Sequence, residues 1–424
     1  MSLNTTPSGE RLHIGLFGRR NAGKSSLLNA ITGQPLAIVS REKGTTTDPV
    51  QKSMELLPLG PVVLIDTPGL DDEGTLGELR KKKTIQALNK TDIALLVIDA
   101  SVGMTSEDTE ILEQIQNRKI PCILVKNKAD LTTEAGQTPS SSPVAVSNPV
   151  AASNPVAASD LTTASIPVIS VSTKTGQNID ALKNQIAAAA PKPENSRPLV
   201  RDLVQPGDTV LLVIPIDSAA PKGRLILPQQ QTIRELLEAG IPVVTVRDSE
   251  LTAALHLLKQ PPALVITDSQ VFGTVSQQLP QDILLTSFSI LFARKKGDLD
   301  LLVQGAHALK QLEDGDTVLI CEGCTHHRQC EDIGTVKLPR RIQNYTGKDL
   351  QFQFTSGTGF PEDLSPFRLI IHCGGCMLNE KEMQFRLKCA QTAGIPVTNY
   401  GIAIACMHDI LERSLEPFDC KFAI

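Results

Sequence analysis

Tryptophan is absent from this 424-residue chain, tyrosine occurs twice, and aromatic residues make up 3%. Side chains on which nucleic-acid bases could stack are therefore scarce. Positive charge is not in excess either: 41 Lys and Arg stand against 46 Asp and Glu, a formal net charge of -5. Both shortages argue against a nucleic-acid or anionic-membrane partner. The short basic runs "ARKKGD" and "LPRR" read as solvated faces. No apolar run reaches the ~20 residues that cross a bilayer. The stretch "MSLNTTPSGERLHIGLFG" lacks a basic region followed by a long apolar one, so no signal peptide is expected. The default reading is a cytoplasmic protein with no nucleic acid and no membrane among its partners.

Cysteine is nearly missing from the first three quarters of the chain, where Cys122 stands alone in an apolar strand. The other eight fall between Cys321 and Cys420. In a cytosolic protein such clustering points to metal or redox chemistry before disulfides.

What is present is length enough for two or three cores. "HIGLFG", "VVLID", "IALLVID", "PCILVKN" and "IPVISVS" are short apolar strands separated by helical patterns. That alternation predicts a parallel sheet covered on both faces. Residues 131–165 break the pattern with repeats such as "SNPVAASNPVAAS", read as a flexible insertion. The expected fold class is α/β: a P-loop domain over 1–190, then two smaller α/β domains over 199–285 and 286–424. The middle one shows no chemistry, and its strand edges and apolar helices suit a subunit interface.

Four motifs in the first domain combine into a nucleotide site. "GRRNAGKSS" follows a strand and opens a helix, the context a phosphate-binding loop requires. Gly18, Asn21, Ala22, Gly23, Lys24, Ser25 and Ser26 would wrap the phosphates, with Lys24 on the β- and γ-phosphates and Ser25 on Mg²⁺. "DTPG" ends a strand; Asp66 would hold Mg²⁺ through water and the Gly69 N–H would sense the γ-phosphate. "GTTTD" supplies Thr46 as the favoured Mg²⁺ and γ-phosphate ligand. In "NKAD", Asn127 and Lys128 precede Asp130, whose carboxylate can accept from guanine N1–H and N2–H₂, a donor pair adenine lacks. "STK", Ser172, Thr173 and Lys174, closes the site beside the guanine O6.

As a set these motifs resemble the Era/TrmE-type GTPases over about 180 residues. The resemblance implies GTP with Mg²⁺. Leu70 stands after "DTPG", so the usual water-orienting Gln is missing and hydrolysis should be slow. In relatives carrying an Asn such as Asn21, that residue helps bind K⁺, which implies K⁺ stimulation here. Leu70–Thr84 becomes a candidate switch segment.

Late in the chain, Cys324-Thr-His326 and His372-Cys373-Gly-Gly-Cys376 each end an apolar strand. Three readings fit these residues: a 4Fe-4S cluster on Cys324, Cys373 and Cys376 with an exchangeable fourth ligand, a structural Zn²⁺, or inert thiols. His326 and His372 are the alternatives for the fourth ligand. Cys321 reads as core, and Cys330, Cys389, Cys406 and Cys420 as extra.

A TrmE-like GTPase followed by this pattern resembles the FeFe-hydrogenase maturation GTPases of the HydF family, across essentially the whole chain. The resemblance implies a homodimeric scaffold that binds GTP and a 4Fe-4S cluster. It would receive a two-iron precursor carrying CO and CN⁻ from radical-SAM maturases and deliver it to apo FeFe-hydrogenase. A redox- or zinc-sensing switch GTPase and an RNA-modification GTPase are the competing readings.

Overall fold

The computed structural model describes residues 6–34, 50–68, 75–131, 166–191, 197–216, 225–323, 333–357 and 359–418, with side chains of 75–81 excluded. Thr46, Gly69, Leu70, Cys324, His326, Cys330, Cys420 and nearly all of the insertion lie outside these residues. The chain divides into two compact units, 1–193 and 194–424.

In the first unit, β1 (Leu12–Phe17), α1 (Lys24–Thr32), β2 (Val50–Leu56) and β3 (Gly60–Asp66) come first. They are followed by α2 (Thr75–Asn89), β4 (Ile93–Asp99), α3 (Ser106–Asn117), β5 (Cys122–Asn127), β6 (Val168–Ser170) and α4 (Ile179–Ala189). The sheet order is β2-β3-β1-β4-β5-β6. All neighbours are parallel except β2, which pairs antiparallel with β3 as an edge strand. The wholly parallel expectation missed β2 because its exposed, polar "VQKSMEL" carries no buried run.

The central strands are apolar throughout because both faces are covered. Ile93, Leu95 and Val97 enter one core with Ile14, Leu27 and Leu28, whereas Ala94, Leu96 and Ile98 enter the other with Phe17 and Ile115. This is the two-residue period of a strand serving two layers.

The second unit holds β7 (Val210–Val213), α5 (Leu227–Glu238), β8 (Val243–Val246), α6 (Leu251–Leu257), β9 (Leu264–Thr267), α7 (Phe272–Gln278), β10 (Leu284–Ser287) and α8 (Phe288–Lys296). Then come α9 (Leu299–Ala306), β11 (Thr317–Glu322), α10 (Leu338–Thr346), β12 (Gln351–Ser356), β13 (Leu369–His372), α11 (Glu380–Ala393), β14 (Val397–Asn399), α12 (Tyr400–Met407) and α13 (Leu411–Leu415). Two parallel four-stranded sheets result, ordered β10-β9-β7-β8 and β12-β11-β13-β14.

One continuous core runs from Leu199 to Phe418 through both sheets. The boundary expected between residues 285 and 286 falls inside β10. The reason is α8. It buries Phe288, Ile290, Leu291, Phe292, Ala293 and Lys296, so it is apolar nearly all round and packs against elements of both sheets. Lys296 sits in the "ARKKGD" run read as a solvated face. It is instead 3% exposed, and Arg294 pairs with Asp202. No helix among the described residues is long and apolar enough to cross a membrane.

Candidate functional site

In the first unit the chain leaves β1 through Gly18 and re-enters helix at Lys24. Gly23 takes φ +92°, and a Cβ there would lie 2.1 Å from Asn127 Nδ2, so only glycine fits. Asn127, at the end of β5, donates through Nδ2 to the Ala22 carbonyl (3.1 Å) and accepts the Thr173 N–H on Oδ1 (3.3 Å). One buried amide thereby ties the phosphate loop to the segment after β6. Asn21 is exposed in the loop at φ +60°. Ser26 lies in the first turn of α1.

Lys24 donates to the carbonyls of Gly18 and Arg19, each at 2.8 Å, which aims its ammonium across the loop mouth. Ser25 Oγ donates to Asp66 Oδ2 at 2.5 Å, and Asp66 Oδ1 is buried with no partner among the described residues. Burial pushes the Asp66 carboxyl upward, against the lowering effects of the Ser25 hydrogen bond and the Lys24 charge. A buried carboxylate with a spare oxygen beside a hydroxyl is the donor set that a Mg²⁺ ion satisfies. Thr67 Oγ1 donates to the Leu16 carbonyl (2.7 Å), fixing the end of β3 against β1.

Asp130 accepts from Ser172 Oγ at 2.6 Å, and that bond, the largest lowering effect, holds its carboxyl below the usual range. Lys128 pairs with Asp99 at 2.6 Å. Lys174 adds a favourable charge to Asp130. These groups follow the C-terminal ends of parallel strands, and direct hydrogen bonds join Ser25 to Asp66, Asn127 to Ala22 and Thr173, and Ser172 to Asp130.

The cysteines occupy the equivalent position in the second unit. In the order β12-β11-β13-β14, the chain passes from β11 to one side and from β13 to the other. The gap between the ends of β11 and β13 is thus the topological switch point, where open α/β sheets bind ligands. Register sets Cys321 opposite His372. Beyond it the Gly323 N–H donates to Cys373 Sγ (3.0 Å), as does the Gly375 N–H (3.4 Å). Gly375 takes φ +64°, which turns the loop back toward that sulfur. Cys324 follows Gly323 directly in sequence.

Burial raises both thiols. Cys376 is pushed up to about 12 by desolvation and the neighbouring Cys373, with Lys296 pulling the other way. Cys373 is raised by desolvation and Glu322, against the Gly323 and Gly375 N–H groups and Arg386. Cys321 is buried, as expected of a core thiol, and Cys406 is buried as well. Among the described residues no group of three or more His, Cys, Asp or Glu is placed to hold a metal.

His372 departs from its expected role. It is fully buried, Nδ1 lies 2.9 Å from the Cys373 carbonyl, and Nε2 lies 2.9 Å from an Arg386 terminal nitrogen. Burial first, then the Arg386 charge, depress its pKa to about 3. Since arginine can only donate, Nε2 accepts and Nδ1–H donates. Both ring nitrogens are engaged, so this arrangement offers iron no His372 nitrogen and argues against it as the fourth ligand. Sequence reasoning missed Arg386 and Lys296. The available signal was the Glu382/Arg386 spacing of four on a helix face carrying Met383 and Leu387.

Three family descriptions match the chain. Residues 13–128 match "50S ribosome-binding GTPase", 199–297 the "Hydrogen maturase F dimerization domain" and 300–417 the "Hydrogen maturase F tetramerization domain". Among curated proteins, tRNA modification GTPase MnmE of Chromobacterium violaceum is 40% identical over 127 residues, 30% of this chain and 28% of that one. GTPase Der of Chloroflexus aggregans is 37% identical over 131 residues, 30% and 29% of the two chains. MnmE of Nostoc is 36% identical over 195 residues, 44% and 42%. The chain therefore spans less than half the length of these relatives. A solved structure of Era from Aquifex aeolicus bound to GDP.AlF4- aligns at 21% identity and a TM-score of 0.33, covering 55% of this chain and 91% of that one.

Proposed function

The chain belongs to the hydrogen maturase F family, and from that premise we propose that it is a GTP-regulated scaffold for assembling the iron site of FeFe-hydrogenase. The observation that carries the reading is the Cys373–Cys376 loop at the switch point, with two backbone N–H groups on one sulfur. Such N–H groups stabilise thiolate and the negative charge of a sulfur-ligated cluster.

A 4Fe-4S cluster fits this donor set with Cys324 as third ligand and His326 as a candidate for the fourth. When bound, the cluster would offer an open iron to a two-iron cargo carrying CO and CN⁻. The chain's own part is to hold the loop, keep His372 neutral and seal the base of the site with apolar side chains. Radical-SAM maturases would supply the cargo and apo-hydrogenase would accept it. The dimerization and tetramerization matches over residues 199–297 and 300–417 support oligomerization. β8 is an edge strand whose Val243, Val244 and Val246 are half-buried, and it suits a homodimer contact.

In the first unit, Ser25 and Asp66 would position Mg²⁺, with Thr46 completing the set. Lys24 would turn from the Gly18 and Arg19 carbonyls to the β- and γ-phosphates. Asn127, Asp130 and Ser172 read guanine. No residue of the motif set supplies a water-orienting amide after "DTPG", so hydrolysis is slow and serves to time partner exchange. With Asn21 helping to hold K⁺, replacing K⁺ by Na⁺ at constant ionic strength is expected to slow phosphate release about tenfold or more, as charge-neutralising groups do in this chemistry. Equal rates in both salts would remove Asn21 from that role.

The test of the scaffold reading is metal and acid-labile sulfide content of protein purified without oxygen, with an EPR spectrum after reduction. Roughly four irons and four sulfides per chain are expected. One zinc per chain with a silent spectrum would instead make it a zinc-stapled regulatory GTPase.

A further inference from the structure

The loop that carries Cys373 and Cys376 is held from beneath by two buried cations contributed by different helices. Arg386, on α11, is 1% exposed and the largest fully buried side chain among the described residues. Its Nε donates to Glu382 Oε1 (2.9 Å), and its terminal nitrogens donate to His372 Nε2 (2.9 Å) and the Gly357 carbonyl (2.7 Å). It also lies 5.3 Å from the Phe360 ring centre. One guanidinium thus joins the ends of β12 and β13 to α11, and His372 passes that constraint to the Cys373 carbonyl.

Lys296 ends α8 and is 3% exposed. Its ammonium donates to the carbonyls of Cys376 (3.2 Å) and Leu378 (2.8 Å), on the far side of the same turn. Gln384 fixes that helix end by donating to the Lys296 and Gly297 carbonyls (3.1 and 3.2 Å). Gly374 lies where a Cβ would be 3.7 Å from Ser289 and Phe292 of α8. The turn therefore rests directly on the helix that both sheets share.

A long, flexible lysine is seldom buried without a purpose. Glu382 is already engaged by Arg386 and is not the partner of Lys296 in the contacts above. We propose that Arg386 and Lys296 are positioning residues that clamp the Cys373–Cys376 turn at two points, and that the Lys296 charge raises the reduction potential of the iron–sulfur group held there. The inference rests on the scaffold reading above. A fixed positive charge in a low-dielectric site favours the more negative, reduced state of a cluster.

The test uses the full chain reconstituted with ferrous iron and sulfide, followed by an EPR-monitored redox titration and by iron release to a chelator. Wild-type protein that takes up no iron would sink the scaffold reading itself. If wild type loads, Lys296→Gln keeps a donor for the two carbonyls but loses the charge. Its midpoint potential is expected to shift negative with iron content unchanged, and Lys296→Arg to restore it. Arg386→Lys keeps charge, yet one ammonium cannot serve His372, Glu382 and Gly357 together. Iron release is expected to quicken severalfold with the potential unmoved. If Lys296→Gln is insoluble, Gln384→Ala, which frees the end of α8, should shift the potential in the same direction by less. A potential identical to wild type in the neutral variant, or in Gln384→Ala where that is the one obtained, overturns the charge role. Wild-type iron release from Arg386→Lys overturns the clamp.

Discussion

Cys373→Ala is expected to reduce iron content after anaerobic reconstitution from roughly four atoms per chain to less than one. The other described cysteine of the loop, Cys376, is expected to behave alike. On the scaffold reading the sulfur of Cys373 would do more than ligate iron: it receives the N–H groups of Gly323 and Gly375, so the strand end of β11 is tied to the loop after β13 through it. Alanine removes a ligand and leaves two donors facing a methyl group, at about 1–3 kcal/mol for each that water cannot reach.

His372→Gln gives the contrast. Both ring nitrogens are already engaged, so iron should be largely retained while thermal stability falls, because Arg386 loses an acceptor in a buried network. Iron analysis beside a melting curve separates the two. Loss of iron from the glutamine variant with stability intact would restore His372 as a ligand. The raised thiols set a sign for pH. Each cysteine carries its proton well above neutrality, so loading releases protons and should tighten as pH rises.

How legible these sites were from the sequence differs with how local their geometry is. "GRRNAGKSS", "DTPG" and "NKAD" are contiguous, and each works through backbone direction at a strand end. Motif spacing alone therefore placed Lys24, Ser25, Asp66 and Asp130 around one site. The position of Cys373 and Cys376 just beyond a strand end was legible for the same reason.

Arg386 and Lys296 were not, because they reach the loop from helices whose pattern announces only a helix. Nothing in "ARKKGD" distinguishes Lys296, which is buried, from Lys295 beside it. The burial of Lys296 follows from α8 being covered on nearly all sides, a property of two sheets rather than of the run. The boundary placed at 285/286 falls inside β10 for a related reason. "ILLTS" is too short to separate from a loop by periodicity, yet it closes one sheet as β10 before α8 opens the contacts of the next. The edge strands β2 and β12 escaped because an exposed face leaves polar residues at alternate positions.

Asp130→Asn is expected to weaken GTP and GDP binding on the order of a hundredfold or more, in a titration with a fluorescent guanine nucleotide. The Ser172 hydroxyl donates to Asp130 Oδ1 at 2.6 Å and helps keep the carboxyl ionised. A carboxylate offers acceptors to both N1–H and N2–H₂ of guanine, in hydrogen bonds strengthened by its charge. An asparagine amide keeps one acceptor and turns a donor toward a donor. The loss is therefore a lost bond plus an unfavourable contact.

Ser172→Ala should act less severely. It removes the group that orients and depresses the carboxyl but leaves the guanine acceptors in place. The sign of the pH dependence follows: Asp130 is lowered, so its contribution is full above the ordinary carboxylate range and fades only as pH falls through its depressed value. Binding should hold at mildly acid pH in wild type and fail at higher pH in Ser172→Ala. Phosphate contacts proposed for Lys24 would be common to all nucleotides, so any ATP affinity should be unaffected by Asp130→Asn. A variant that lost ATP and GTP binding equally would mean that Asp130 supports the loop rather than reads the base.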